Sequence, residues 1–233
     1  PVRLQKSTGN CLYQERILLY MNYDSVPLRD FKELNDWETV IFVYQSALKQ
    51  VETKIDILNG EFQHRHKYNP IRIKTPESIV KKLKRHGYES SIENMVRYVN
   101  DIAGIRISCS FTSDIYLIAD MISKQNDLTI LARRDYMKNP KKSGYRSYHM
   151  LVTTPVFLSD SIIDTKVEIQ IRTVAQDFWA TLEHKMHYKF EGDGPDYITK
   201  ELRECARYVA ELDTRMEELN NEIQKYGKLS DKK

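Results

Sequence analysis

A run of alternating residues at 166–173, Lys-Val-Glu-Ile-Gln-Ile-Arg-Thr, holds the side chains best suited to chemistry. In an extended chain the apolar residues fall on one side, and Glu168, Gln170 and Arg172 fall on the other. An acid, an amide and a guanidinium in a row are unusual for a merely solvated strand edge. We therefore expect Glu168 to face a nucleotide site and to help hold a divalent cation.

A second acid, Asp101, begins residues 101–111, which also alternate as a strand. Arg106 falls on the polar side of that strand. Mg²⁺ in proteins is typically held by one or two carboxylates together with substrate phosphates. Two strand-borne carboxylates among arginines and lysines therefore predict a nucleotide–metal site, although two surface salt bridges would give the same pattern.

A turn-rich loop before the strand at 147–152 supplies cations and an aromatic ring. Tyr145 lies in the sequence among six basic residues: Arg133, Arg134, Lys138, Lys141, Lys142 and Arg146. Cations for phosphates and a ring for a base are the usual division of labour in nucleotide recognition. We expect His149 to reach a phosphate and Tyr148 to pack in the core, while plain solvation would explain some of the lysines.

A second basic segment precedes a helix. Arg72 and Lys74 alternate with isoleucines, and Thr75 then caps a helix that has Pro76 at its first position and Gly87 after its end. The amides of a helix N-terminus add positive potential. This arrangement suits phosphates, and a solvated basic loop is the alternative.

Other chemistries find less support in the sequence. It contains no P-loop, no G-x-G-x-x-G, no H-E-x-x-H and no nucleophile elbow. His184 and His187 have a spacing that can share a metal, but no third ligand is near in sequence, so we expect a surface or packing role.

The 233 residues, 41% hydrophobic and 30% charged with a net charge of +3, can bury one sizeable core. Balanced charge with local basic clusters suits phosphate ligands better than a long nucleic-acid footprint. Three distant cysteines without a C-x-x-C pair indicate reduced thiols in a cytoplasmic protein. No apolar run approaches the roughly 18 residues of a membrane span.

Helices and strands alternate along the chain to position these residues. Steps of four and three residues from Trp37 to Phe62 predict a long amphipathic helix, with Asn35 as N-cap and Glu38 as its partner. Further strands are predicted at 128–133, 147–152 and 166–172. Short helices are predicted at 76–86, at 92–98 with Ser91 as its cap, and at 116–124. This order predicts an α+β fold with a mixed sheet flanked by helices.

Two more helices are predicted after the last strand. Thr173 and Gln176 form a capping box, followed by an expected buried stripe of Ala175, Phe178, Trp179, Leu182 and Met186. Heptad-like spacing from Leu202 to Ile223 predicts the final helix, which could pack on the core or join copies of the chain. Residues 228–233 are expected to fray.

Four motifs resemble one known family. Residues 101–106, 144–149, 168–173 and 178–185 are similar, in the same order, to the synthetase domain of the RelA/SpoT homologues, the (p)ppGpp or alarmone synthetases. The resemblance covers roughly residues 35–215, after an extension at 1–34 and before a helix end and tail at 216–233. The chain looks like a stand-alone small alarmone synthetase of bacteria, without room for the hydrolase domain.

The resemblance implies a nucleotidyltransferase-like fold and a stringent-response activity. Such enzymes move the pyrophosphoryl group of ATP to the 3′-hydroxyl of GDP or GTP with Mg²⁺, giving ppGpp or pppGpp and AMP. It also implies a cytoplasmic homo-oligomer, a tetramer in many members.

Residue roles are implied by motif. Asp101 would bind Mg²⁺, and Glu168 would share that metal or act as base on the 3′-hydroxyl. The implied ATP-binding residues are Arg72 and Arg106 around adenine and Lys74, Ser78 and Lys82 at the phosphates. The implied GDP/GTP-binding residues are Tyr145, which would stack on guanine, and His149, Lys142, Arg134, Gln170, Asp177 and Ala180. Family members often have Asn where this chain has Asp177.

Two alternatives stay open from the sequence. One is an enzyme of the same fold that adds nucleotides to RNA ends, which would use the same carboxylate and Mg²⁺ logic. The other is a non-catalytic nucleotide- or RNA-binding module that uses the basic patches.

Overall fold

A five-stranded mixed sheet forms the centre of the protein, in the strand order β1-β2-β5-β4-β3. The computed structural model describes residues 36–61, 66–189 and 196–230. The strands are β1 (His66–Ile73), β2 (Ala103–Cys109), β3 (Thr129–Asp135), β4 (Tyr148–Phe157) and β5 (Ile162–Thr173). The helices are α1 (Trp37–Glu61), α2 (Pro76–Arg85), α3 (Ile92–Tyr98), α4 (Thr112–Ser123), α5 (Val174–Lys189) and α6 (Asp196–Ser230).

The sheet is mixed because β2 and β5 run parallel while the other neighbouring strands are antiparallel. The predicted α+β class is therefore confirmed. β4 and β5 are longer than their alternation predicted, because they pair with each other from Tyr148–Ile171 to Phe157–Ile162. β2 is shorter, so Asp101 lies in the loop before this strand rather than in it.

The long helix α1 packs on the apolar face of the sheet, as its spacing predicts. Tyr44, Leu48 and Val51 are buried there with the apolar residues of β2, β4 and β5. The carboxylate of Asp36 caps the helix by accepting from the amide and hydroxyl of Thr39 at 2.7 Å. The predicted cap Asn35 and the predicted last residue Phe62 lie outside the described residues.

Local capping signals are confirmed at three helix starts. The Thr75 hydroxyl accepts from the Ser78 amide before α2, and Ser91 does the same for Asn94 before α3. Thr173 and Gln176 exchange hydrogen bonds before α5. Gly87 follows α2 with a φ of 77°, as a C-terminal stop requires.

The predicted buried stripe of α5 is wrong at three of its members. Phe178 is 64% exposed, and Leu182 and Met186 are also exposed. Trp179 is buried as predicted, together with Ala180, because α6 packs against this side of α5. The Trp179 indole donates to the Leu202 carbonyl at 3.0 Å and fixes this orientation.

The final helix is longer than predicted and carries an exposed apolar row. α6 continues to Ser230, beyond the position where fraying was expected. Leu212, Met216, Leu219 and Ile223, members of the heptad-like pattern, are all about half exposed or more. Within the described residues, every helix is too short or too polar to span a bilayer.

Candidate active site

Polar side chains from all five strands share one face of the sheet, because residues paired across neighbouring strands point to the same side. Gln170 lies opposite Arg106 of β2 on one side and His149 of β4 on the other. Arg134 of β3 pairs with His149, and Glu168 stands two residues before Gln170. This face therefore carries Arg72, Arg106, Arg134, His149, Glu168, Gln170 and Arg172.

Glu168 is held in a ring of hydrogen bonds that starts and ends at Arg172. In one direction, Arg172 donates to Gln170 at 2.7 Å, and Gln170 donates to Glu168 Oε2 at 2.8 Å. In the other, Arg172 donates to the Tyr145 hydroxyl at 2.7 Å, which lies 2.8 Å from His149 Nε2. His149 Nδ1 then lies 3.3 Å from Glu168 Oε1.

The direction of donation in this ring fixes the imidazole tautomer. The Tyr145 hydroxyl accepts from Arg172, so its own proton is directed at Nε2 of His149. Nδ1 consequently carries the proton and donates to Glu168. Both oxygens of Glu168 are thus oriented, and the carboxylate has one position in the site.

The pKa values of the two titratable partners are shifted down. Burial lowers the pKa of His149, which the hydrogen bond to Glu168 only partly opposes. Burial by itself would raise the pKa of Glu168, but the contacts with His149 and Gln170 outweigh it and hold that pKa below its usual range. Near neutral pH the site therefore contains a neutral imidazole beside an ionised carboxylate.

Asp101 is paired with two lysines. Its two oxygens accept from Lys74 and Lys82, each at 2.7 Å, and the two ammonium groups are mostly buried. Partial burial would raise the pKa of Asp101, but the two lysine charges lower it to about 2. Lys74 follows β1, and Lys82 lies on α2. The Thr75 cap fixes the start of α2 directly after Lys74, so it determines the path of the chain between the two lysines.

Asp101 and Glu168 line one cleft, as the sequence predicts. Its other polar lining residues are Lys82, Asn100, Arg134 and His149. The two carboxylates are close enough for the charge of Asp101 to act on Glu168 and raise its pKa, against the net shift. Mg²⁺ usually binds one or two protein carboxylates, and substrate phosphates and waters complete its coordination shell. The two carboxylates that face this cleft therefore fit the ion.

The described part of the chain offers no competing metal centre. Among residues 36–61, 66–189 and 196–230, no three His, Cys, Asp or Glu side chains converge as ligands. His184 is exposed on α5, as expected for a surface histidine. The side chain of His187 lies outside the described ones.

Tyr145 is held against α6 and the basic loop. Gly144 has a φ of 91°, and a Cβ there would lie 2.5 Å from Cβ of Ala206 in α6. Only glycine permits this close approach, which packs Tyr145 beside Trp179 and Ala180. The Lys141 ammonium lies 4.6 Å from the centroid of the Tyr145 ring.

Asp177 links two of the arginines of the site, Arg106 and Arg172. Its Oδ1 lies 3.2 Å from Nη1 of Arg106 and 3.2 Å from Nη1 of Arg172. The charge of Arg72 also acts on Arg106, so the two predicted adenine-binding guanidinium groups are neighbours. Ala180, the other residue predicted at the guanine edge, is buried in the small cluster with Trp179.

One predicted phosphate contact stands apart from the cleft. Lys142 lines a second concavity, between the basic loop and α6, together with Arg203 and Arg207.

Ser78, another residue predicted at the phosphates, is half-buried at the start of α2. Its hydroxyl accepts from the Thr75 hydroxyl at 3.0 Å.

Sequence reasoning assigned no individual role to three residues that contribute to the site. Arg172 organises the ring, and its place on the same alternating face as Glu168 was the signal for it. Lys141 lies over Tyr145, but the neighbouring lysines of the loop look alike in sequence. Asn100 lines the cleft, and no local pattern indicates that position.

Comparisons with known proteins agree with these observations. Residues 71–193 match the family described as the region found in RelA / SpoT proteins. The GTP pyrophosphokinase YwaC of Bacillus subtilis (strain 168) is 43% identical over 195 residues, which cover 82% of this chain and 93% of that protein.

Two solved structures from the same organism are similar to this one. Small alarmone synthetase 2 has a TM-score of 0.75 at 41% identity, covering 81% of this chain and 100% of the other. Small alarmone synthetase 1, solved bound to its product pppGpp, has a TM-score of 0.75 at 32% identity, covering 81% and 98%.

Proposed function

This chain belongs to the RelA/SpoT family, and we infer that it is a (p)ppGpp synthetase. It transfers the pyrophosphoryl group of ATP to the 3′-hydroxyl of GDP or GTP, giving ppGpp or pppGpp and AMP. The observation that carries this conclusion is the cleft in which an oriented Glu168 faces Asp101 and its two lysines, with the Tyr145 ring beside it.

The guanosine nucleotide binds on the side of the loop. Tyr145 is the stacking platform for guanine, and the orientation of its ring is supported by Arg172 and by the cluster on α6. Lys141 and Arg134 are the cations assigned to its phosphates, because Lys141 lies over the Tyr145 ring and Arg134 lines the cleft, whereas Lys142 lines the second concavity. Asp177 can accept from guanine N1 and N2 after one arginine leaves it.

The nucleotide's 3′-hydroxyl points to Glu168. A general base works best when its pKa lies near the operating pH, and the pKa of Glu168 is lowered. The lowered pKa therefore favours one of the two roles open for Glu168. In the favoured role the carboxylate binds the cation and accepts a hydrogen bond from the 3′-hydroxyl; in the other it would remove the proton before the new bond forms. The hydroxyl donates a hydrogen bond to the carboxylate, which takes up the proton only late, when the bond from the 3′-oxygen to the β-phosphorus is largely formed.

ATP binds on the side of β1 and α2. Arg72 and Arg106 stack on adenine, while Lys74, Lys82 and Ser78 meet the phosphates. As the bond between the β-phosphorus and the α-phosphate oxygen breaks, AMP leaves with that oxygen. Both lysines already contact Asp101, so they need only exchange this carboxylate for phosphate oxygens.

Mg²⁺ would be held by Asp101 and Glu168 together with phosphate oxygens of ATP. When bound, the ion would neutralise charge that develops on the transferred phosphoryl group. Each oxygen of Asp101 accepts from one lysine and has a further lone pair, so the ion can bind this carboxylate beside a lysine or after that lysine has moved to a phosphate.

We also propose that the protein is a cytoplasmic homo-oligomer, a tetramer as its family resemblance implies. Two exposed apolar rows support this: Phe178, Leu182 and Met186 on α5, and Leu212, Met216, Leu219 and Ile223 on α6. The steps of four and three on α6 are those of a helix–helix seam. The described cysteines, Cys109 and Cys205, are free thiols, which fits a reducing compartment.

The direct test incubates the protein with ATP, GDP and MgCl₂ and separates the nucleotides. AMP and ppGpp should form in equal amounts, and EDTA should abolish both. RNA 3′ ends labelled from ATP without a guanosine product would favour the RNA-modifying alternative. Tight nucleotide binding that survives EDTA without turnover would favour a binding module.

A further inference from the structure

We propose that Lys166 is a positioning residue that sets the separation of the two acids in the cleft. The proposal rests on the roles assigned above to Asp101 and Glu168. Lys166 itself does not line the cleft and would touch neither substrate.

Lys166 is a buried cation on the same face of the sheet as Glu168. It stands two residues before Glu168 in β5, and its side chain is on the polar face although the residue is only 5% exposed. Its ammonium donates to the Val96 carbonyl at 3.1 Å, to the Arg97 carbonyl at 3.2 Å and to Asn100 Oδ1 at 3.0 Å.

These three bonds match the three donors of an ammonium group. The two carbonyls belong to the last turn of α3, where helix carbonyls lack intrahelical partners and a cation is favourable. A buried ammonium without such acceptors would be strongly destabilising, so the three acceptors define one position for the lysine head. The end of α3 and Asn100 are thereby joined to β5.

This link joins the two segments that carry the acids. Asn100 immediately precedes Asp101, and Lys166 is separated from Glu168 by one residue. The β2–β5 ladder begins only at the Gly104–Glu168 pair, so backbone pairing with β5 does not reach Asp101. The bond from Lys166 to Asn100 therefore supplies a direct connection between the acid-bearing segments where the ladder does not.

The first test compares Lys166→Met with Val167→Ala. Methionine keeps most of the buried stem but removes all three donors, while Val167 is fully buried on the opposite face and has no side-chain donor. We expect Lys166→Met to lower kcat and to raise the Mg²⁺ concentration for half-maximal rate by about 10-fold. This is the lower end of the effect of losing a group bonded to a metal ligand, because Lys166 acts on Asp101 only through Asn100. KM for GDP should stay within about twofold, since no contact to Tyr145 or His149 is removed.

Val167→Ala should lower the melting temperature but leave kcat and the Mg²⁺ requirement unchanged. If Lys166→Met also leaves kcat and the Mg²⁺ requirement unchanged, the role of Lys166 is only structural and the proposal is overturned. Lys166→Arg, which keeps a cation and donors, should restore part of the Mg²⁺ response.

Asn100→Ala gives a second route if Lys166→Met does not fold, because it removes a single acceptor. Hydrogen exchange of residues 99–102 in the metal-free protein supplies a readout that needs no turnover. Exchange should rise in Asn100→Ala and Lys166→Met but not in Val167→Ala, and an unchanged rate would overturn the proposal. Absence of ppGpp from the unmodified protein would instead refute the proposed function.

Discussion

The Tyr145 hydroxyl is expected to contribute to the rate of the reaction separately from the stacking of the Tyr145 ring. In the structure it accepts from Arg172 at 2.7 Å and lies 2.8 Å from His149 Nε2. Tyr145→Phe keeps the ring but removes the link through which Arg172 orients His149. Glu168 then loses one of its two oriented contacts, while Gln170 still holds the other.

The expected magnitude follows from the two hydrogen bonds. A bond to a charged group contributes about 1.5–3 kcal/mol and a neutral one about 0.5–1.5 kcal/mol. Because Arg172 is still held by Gln170 and Asp177, we take the lower end, about 2 kcal/mol, which corresponds to a roughly 30-fold lower kcat. KM for GDP should change by less than about threefold, since stacking is retained.

The assay measures ppGpp formation at saturating ATP over a range of GDP concentrations. Tyr145→Ala removes ring and hydroxyl together, and its KM for GDP should rise about tenfold or more because stacking contributes about 1–3 kcal/mol per base. Tyr136→Phe is the matched control, since among the described residues no hydrogen bond involves the Tyr136 hydroxyl although its ring lies against His149.

Two results would refute this reasoning. One is a kcat for Tyr145→Phe equal to that of the unmodified protein and of Tyr136→Phe. The other is a KM for GDP that rises as much in Tyr145→Phe as in Tyr145→Ala, which would mean that the hydroxyl serves binding and not the orientation of Glu168.

Three further outcomes are expected. Gly144→Ala must place a Cβ 2.5 Å from Cβ of Ala206 at a φ of 91°. It should therefore destabilise the protein by at least about 1–2 kcal/mol and raise KM for GDP. A Cβ at Gly60 would meet no atom within 4 Å, so the control Gly60→Ala should neither destabilise the protein nor raise KM for GDP. Asp101 has a folded pKa of about 2, below its unfolded value of 3.8, so its stabilisation is complete above about pH 4 and is lost as pH falls toward 2. Asp101→Asn should therefore flatten that part of an acid-unfolding curve measured by circular dichroism, and an unchanged curve would contradict the ion pairs. Leu219→Glu, on the exposed row of α6, should reduce the mass measured by light scattering, and an unmodified protein with the mass of one chain would exclude the oligomer.

Features that depend on a few neighbouring residues were predictable from the sequence. The caps at Thr75, Ser91 and Thr173 and the long helix α1 follow from local hydrogen bonding and from a helical period. The period of two along 166–173 determined which side chains share a face with Glu168. Even there, the resemblance to a family was needed to assign roles, because alternation says which residues are neighbours and not what they bind.

Only the tertiary structure decided what depends on contacts between distant parts of the chain. Which side of α5 is buried depends on α6, so Phe178 is exposed and Trp179 is not, although both fit a helical stripe. The strand order brings Asp101 and Glu168 to one cleft, and the fold gives Asp101 two lysine partners that precede and follow the Thr75 cap. Pairings between residues so far apart are chosen by the packing of the whole core, whereas sequence patterns report only the preferences of neighbours a few residues apart.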